Sequence, residues 1–99
     1  MLSIIKKIFN LHHPYFGEIM INWDKIVGHK YSNLTTPISI KIFKEKGEKL
    51  NILNVSVTNS ALALELSFLQ DVIIERITIY LGRKAIHKMR FVVRPPKNL

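Results

Sequence analysis

The residues that could perform acid–base or metal chemistry are few, and their spacing does not suit it. Asp71 and Glu75 share a predicted helical face, but their apolar and basic neighbours are typical of a solvated surface rather than of a catalytic pair. His12 and His13 are adjacent, and adjacent side chains of an extended segment diverge, which disfavours a shared metal ion. The chain has no cysteine, and its four glycines are not spaced as a phosphate loop. We therefore expect no catalytic, cofactor or metal site and no small-molecule substrate.

Basic residues offer the other chemistry, which is the binding of anions. Fifteen Lys and Arg residues stand against seven acids, for a net charge of +8, and residues 83–99 contain no acid at all. Such a field attracts polyanions, nucleic acid above all. The alternative is that the charge only reflects a composition rich in Lys, Ile and Asn. The candidate nucleic-acid contacts are Lys41, Lys44, Lys46, Lys49, Arg83, Lys84, Lys88, Arg90 and Arg94.

One aromatic ring lies among these cations. Phe43 could stack on a base, whereas proteins that bind single strands usually offer several such rings. We therefore expect weak, salt-sensitive and sequence-tolerant binding.

The elements that would position these residues begin with two helices. Residues 3–11 have the pattern of a short amphipathic helix, and Pro14 suits the first turn of a second one. Apolar residues of the second helix recur at helical spacing, and Trp23 in their midst is expected to anchor the core. Gly28 either interrupts this helix or allows a close packing contact.

Alternating residues then predict two strands. Ile38, Ile40 and Ile42 alternate with polar residues, a charged turn follows at 44–48, and a second strand covers about 50–57. A short loop with a glycine predicts an antiparallel hairpin, and a change of phase predicts a bulge near Ile52. A last strand, about 85–93, should expose Ile86, Lys88, Arg90, Val92 and Arg94 on one side.

The helix between the strands is predicted over about Ala61–Leu81, with Asn59 or Ser60 as its cap and Gly82 after its end. Leu62, Leu66, Leu69, Ile73, Ile77 and Tyr80 form its core-facing stripe. A second apolar line contains Leu64, Phe68, Val72 and Ile79. Either the predicted N-terminal helix covers this line, or Leu64, Phe68 and Val72 bind a partner protein or a second copy of the chain.

The predicted order α-α-β-β-α-β indicates an α+β fold, with helices packed on one face of a three-stranded sheet and the other face solvated. We expect one domain over 1–99, with a core at 14–93, the helix at 3–11 and a short basic tail at 94–99. Because there is no signal-peptide pattern and no apolar run of roughly 18 residues, we expect a cytoplasmic protein without membrane contact.

Several of these segments together resemble the DciA family. Residues 23–28, WDKIVG, are similar to its W-x-x-I-V-G signature. The other matching segments follow in the family's order: Thr36-Pro37; Leu53-x-Val55-x-Val57; 61–66, ALALEL, for A-x-A-x-E-L; 73–77, IIERI; Tyr80-x-Gly82; and the closing strand at 85–91. Leu62 stands where many members have Trp. The resemblance covers about 14–93.

The resemblance implies a bacterial replication factor that assists loading of the replicative helicase onto DNA. It also implies a fold similar to K-homology (KH) domains. The partners would be single-stranded or forked DNA and the replicative helicase. Many family members carry a basic, flexible extension that contacts DNA or helicase, and this sequence has only a short counterpart. It also lacks the G-x-x-G loop of KH domains that bind nucleic acid, so binding would use another surface.

Two other functions fit the same sequence. A KH-like order with a basic sheet also permits an RNA-binding module. The second apolar line of the long helix permits a protein-interaction domain that binds no nucleic acid.

Overall fold

The computed structural model of the chain describes residues 14–94. Their elements are α1 Phe16–Ile21, α2 Trp23–Val27, α3 His29–Ser32, β1 Thr35–Glu45, β2 Glu48–Val57, α4 Ser60–Phe68, α5 Gln70–Leu81 and β3 Lys88–Val93. The α+β class and the order of helical and strand regions are confirmed. Each predicted long helix is divided: the one after Pro14 into three short helices, and the one over 61–81 into two. The predicted helix at 3–11 and the tail after Arg94 lie outside the described residues.

The first helical region packs as its apolar pattern predicted, with Ile19, Trp23, Ile26 and Val27 buried in the core. Gly28 separates α2 from α3 with a φ of 92°, and nothing lies within 4 Å of where a Cβ would be. It therefore ends a helix and does not serve close packing. The Trp23 indole donates a hydrogen bond from Nε1 to Thr35 Oγ1 at 2.9 Å, so the core role of Trp23 is confirmed.

The hairpin is confirmed, because β1 and β2 pair antiparallel around a two-residue turn at Lys46 and Gly47. Both turn residues have positive φ, as a type I′ hairpin turn requires. The predicted bulge near Ile52 was wrong. The register shift lies in β1, between Pro37 and Ser39, and β2 continues regularly through Ile52. Ile52 consequently lies in the row that faces away from the helices.

The third strand lies beside β2 and runs parallel to it, so the sheet order is β1-β2-β3. Residues 58–87 supply the long crossover that a parallel pair needs. The strand begins at Lys88, later than predicted, and Ile86 is fully buried rather than exposed. The reason is that Asn51 holds the preceding segment: its side chain donates to the Ala85 carbonyl at 2.7 Å, and its own carbonyl accepts from His87 N at 2.9 Å.

The helical crossover is divided at Leu69, whose backbone N–H bonds to the Leu66 carbonyl in a tighter turn. The predicted core stripe is largely confirmed, because Leu62, Leu66, Ile73 and Ile77 are buried. Leu69 is partly buried and Tyr80 is exposed. The helical layer and the inner row of the strands form one core, so the helices pack on one face of the sheet. Among the described residues, no helix is long and apolar enough to cross a membrane.

The cap of α4 gives a first stability prediction. Asn59 Oδ1 accepts a hydrogen bond from Leu62 N at 2.8 Å and satisfies an otherwise free N–H of the first turn. Asn59→Ala should lower the free energy of unfolding by about 1 kcal/mol, whereas Asn59→Asp should lower it less because it keeps the acceptor. Urea unfolding followed by circular dichroism measures both. Equal midpoints for Asn59→Ala and the wild type would contradict the assigned cap.

Candidate nucleic-acid interface

The open face of the sheet is the row of side chains that alternate with the buried ones. Ile40, Leu53, Val55 and Met89 point into the core, so their neighbours point outward. In the register, Phe43 pairs with Leu50, Lys41 pairs with Ile52, and Ile52 also pairs with Lys88. The next row contains Ser39, Asn54 and Arg90, followed by Ser56 and Val92. We call these residues, with Arg94 after the end of β3, the open face.

Three cations surround a depression in the open face. Lys41 stands on the β1 side, Arg90 and Arg94 stand on the β3 side, and Asn54 lies between them on β2. All three cationic side chains are exposed, and none forms an ion pair or hydrogen bond within residues 14–94. Folding therefore does not use these charges, and they are available to an anionic ligand.

Asn54 is the polar centre of this depression, and it is only 8% exposed. Its Nδ2 donates to Ser39 Oγ at 3.3 Å. No donor among residues 14–94 reaches its side-chain carbonyl. A buried acceptor without a donor is costly unless something supplies one. The centre of the face therefore suits a ligand that carries hydrogen-bond donors.

An apolar depression adjoins the basic one at the hairpin end of the same face. Phe43, Leu50 and Ile52 line it, with Lys44, Glu45 and Lys88 at its rim. Its volume of about 210 Å³ is below the roughly 300–1,000 Å³ typical of small-molecule pockets. Sequence reasoning missed its floor, because the supposed bulge at Ile52 obscured the regular alternation along β2.

The structure divides the nine predicted contacts into three places. Lys41, Lys88, Arg90 and Arg94 lie on the open face. Lys44 and Lys49 oppose each other at the end of the hairpin, and Lys46 lies in its turn. Arg83 and Lys84 follow the end of α5, and Lys84 lines a different depression beside Asp71 and Glu75. Because β2 lies between β1 and β3, the basic residues of β1 and those of β3 line opposite edges of the open face and are not direct neighbours.

The predicted second apolar line of the crossover helices is exposed. Phe68 is 79% and Ile79 72% exposed, and Leu64 and Val72 are also exposed. No residue of the described 14–94 segment covers them. The helix predicted at residues 3–11, which the sequence offered as a cover for this apolar line, lies outside the described residues.

A cluster of Asp24, His29 and Ser32 was missed by the sequence reasoning, although its members lie close in the chain. Ser32 Oγ donates to Asp24 Oδ1 at 2.6 Å, and His29 Nδ1 lies 3.4 Å from the same oxygen. The bond from Ser32 is the main reason that the pKa of the Asp24 carboxyl lies below its usual value, with burial opposing it and His29 adding to it. The hydroxyl bonds to the carboxylate and not to the imidazole, so the cluster lacks the serine–histidine hydrogen bond of a nucleophilic triad.

Glu65 on α4 contacts the first helical region. Its carboxylate accepts a hydrogen bond from the hydroxyl of Tyr31 on α3, which is the main reason that the pKa of Tyr31 is raised. The pair joins α3 to α4 across the helical layer.

Two comparisons place this chain among known proteins. The family model described as "Dna[CI] antecedent, DciA" matches residues 4–91. The chain is also similar to the uncharacterized protein RP826 of Rickettsia prowazekii (strain Madrid E), with 48% identity over 96 residues. That alignment covers 97% of this chain and 89% of the relative. Both matches include the open face as far as Arg90 and the exposed apolar line.

Proposed function

Because the chain belongs to the DciA family, we propose that it is a non-enzymatic, DNA-binding accessory factor that assists loading of the replicative helicase. Membership of the family implies a role related to helicase loading. The DNA contact, the absence of catalysis, the direct helicase contact and a cytoplasmic location are the proposed part. The likeness to KH domains stays a prediction.

The three unpaired cations of the open face are the observation that carries the DNA contact. Lys41, Arg90 and Arg94 surround one depression without an acidic partner in residues 14–94. Like charges held together without partners repel each other, and a polyanion relieves that repulsion while releasing its counterions. Phosphate contacts of this kind fix position and carry no sequence information, which suits a factor that must act on any sequence.

The proposal is tested by fluorescence anisotropy of labelled single-stranded and forked oligonucleotides, with and without purified replicative helicase, at low and near-physiological salt. We expect salt-sensitive DNA binding that persists or strengthens with helicase. An RNA of the same sequence serves as competitor, and a preference for RNA would favour an RNA-binding module. Capture of helicase without any DNA binding would identify a protein-interaction domain and contradict the DNA contact.

For the helicase contact, the exposed apolar line of α4 and α5 is the surface we propose. Exposed apolar patches are typical of protein–protein interfaces, and the four large apolar side chains of this line are exposed. Phe68→Asp should weaken association with purified helicase by about tenfold or more, because it places a charge in an apolar contact. DNA binding should be unchanged, since α4 packs on the other side of the sheet from the open face. Pull-down and anisotropy measure the two properties.

Ile21→Asp is the matched control for this variant. Ile21 is 82% exposed on α1 and lies outside the apolar line. Equal loss of helicase binding in both variants would mean that the effect is not specific to α4 and α5.

A further inference from the structure

The two adjoining depressions of the open face have different chemistry, and both need an explanation. One has cations and a buried amide, and the other has an aromatic ring over an aliphatic floor. Phosphate binding accounts for the cations of the first depression. It does not account for Phe43, which is 47% exposed on a face that the helices do not cover.

We propose that the open face binds single-stranded DNA with one unpaired base stacked on Phe43, while the neighbouring phosphates lie between Lys41 and Arg90. This inference rests on the proposed DNA contact and specifies the form of DNA and the stacking site. Ile52 joins the two depressions, because it pairs with Lys41 on one side and Lys88 on the other. A base above Phe43 and Ile52 would therefore have cations on both sides for its flanking phosphates.

An unpaired base is the occupant that fits both depressions. In a duplex the base faces are stacked on each other, and only base edges and the backbone reach a protein surface, so no base face would stack on the ring of Phe43. A purely apolar peptide would leave the surrounding cations without partners. A single strand offers a planar apolar face and a charged backbone within one repeat, and stacking tolerates every base because each has a π-face.

The path along β2 is short. From Leu50 to Ser56 the strand covers about 20 Å at the usual rise per residue, so the face accommodates only a few nucleotides. With a single aromatic ring on this path, stacking is expected at one base. The contribution of stacking to the DNA affinity is therefore that of one base on one ring.

The test compares Phe43→Ala with wild type on an oligothymidylate of about 12 nucleotides, on an abasic oligomer of equal length and on a duplex. One stacked base is worth about 1–3 kcal/mol, which is a loss of roughly 5- to 150-fold in affinity for the oligothymidylate. Affinity for the abasic oligomer and for the duplex should not change. Phe43→Leu should lose about as much, because it keeps apolar volume but not the ring.

Ile42→Ala is the matched control. Ile42 is the neighbour of Phe43 on β1, is similarly exposed, and points to the other side of the sheet. It should bind all three probes like wild type. The circular dichroism spectra and unfolding midpoints of the Phe43 variants should resemble those of Ile42→Ala.

The outcomes separate the stacking site from the proposed function. Unchanged oligothymidylate affinity in Phe43→Ala, with DNA binding otherwise intact, would overturn the stacking site and leave the DNA contact standing. An equal loss of affinity for all three probes would overturn the stacking site as well. So would a competition experiment in which polyglutamate displaces the oligothymidylate from the wild-type protein as effectively as unlabelled DNA does. Absence of wild-type binding to every probe would overturn the proposed function itself.

Discussion

Replacing Lys41, Arg90 and Arg94 together by alanine is expected to reduce the salt dependence of DNA binding by about 2 to 3 units of slope. Each neutralised phosphate contributes roughly 0.7 for a single strand and 0.9 for a duplex. Exposed ion pairs are worth about 0.2–1 kcal/mol each, so the loss of three should lower the affinity near physiological salt by about 3- to 150-fold. These three residues are chosen because the fold brings them to one depression on opposite sides of β2.

The control for this variant changes the net charge equally. Lys25 on α2, Lys30 on α3 and Lys84 are exposed cations. Lys84 is one of the nine contacts that the sequence suggested, but it lines the separate depression beside Asp71 and not the open face. The triple alanine variant of these lysines should bind DNA nearly as well as wild type, because the removed charges do not line the open face. Anisotropy titrations at several salt concentrations give both slopes. Equal losses in the two triples would contradict a located site and favour a nonspecific effect of the net charge.

Local patterns were enough to predict the parts of the fold that depend on neighbours in sequence. Ile19, Trp23 and Ile26 recur at helical spacing, and all three are buried. The turn at Lys46 and Gly47 connects two alternating segments, and they form the hairpin. In both cases the signal lies within a few residues, since helical periodicity and turn geometry are properties of the local backbone.

The pairing of β3 depends on contacts that no local pattern encodes. Met89 N donates to the Gln70 side chain at 2.6 Å, and Asn51 holds the segment at Ala85 and His87. These contacts determine where the strand begins and bury Ile86, although alternation predicted that Ile86 would face solvent. The division of the crossover helix at Leu69 has the same origin, because the apolar line alone does not say where a helix must bend to keep packing.

The candidate site was predictable as a list of cations but not as a surface. The charge of Arg90 and Arg94 on one side of the last strand was evident from alternation, and Phe43 was identified as the one stacking ring. Lys41 and Arg90 share one depression only because of the order of the strands in the sheet. Ile52 lies at the bottom of the apolar depression because of the register of β2. Residue types therefore indicated an anion-binding face, and the pairing of strands determined which residues share it.

Trp23→Ala is expected to lower the free energy of unfolding by about 3–5 kcal/mol, the largest stability effect we predict. Trp23 is 6% exposed and packs in the core that joins the helices to the sheet. Removing a large buried aromatic residue loses its transfer free energy and leaves a cavity that the surroundings fill only in part. A domain of this size is stable by only about 5–15 kcal/mol, so the substitution should remove a large fraction of its free energy of unfolding.

The hydrogen bond of the indole nitrogen makes a smaller contribution to the free energy of unfolding, and it can be measured separately. Trp23 Nε1 donates to Thr35 Oγ1, and the Thr35 hydroxyl donates to the Tyr31 carbonyl at 2.7 Å, so one chain of hydrogen bonds joins α2, α3 and β1. Thr35→Val should cost about 1–3 kcal/mol, because the indole N–H loses its acceptor while it stays buried. A double-mutant cycle with Trp23→Phe isolates this bond, and a coupling near zero would contradict it.

A Trp23 variant also tests whether this residue contacts DNA or serves only in the core. Because it is the only tryptophan, its variants are followed by circular dichroism during urea unfolding and not by indole fluorescence. At a temperature where Trp23→Phe is fully folded, its DNA affinity should equal that of wild type, since the indole packs on the helical side of the sheet and the DNA is expected on the other. A loss of DNA affinity without a loss of stability would place the interface on the helical side and contradict the assignment to the open face.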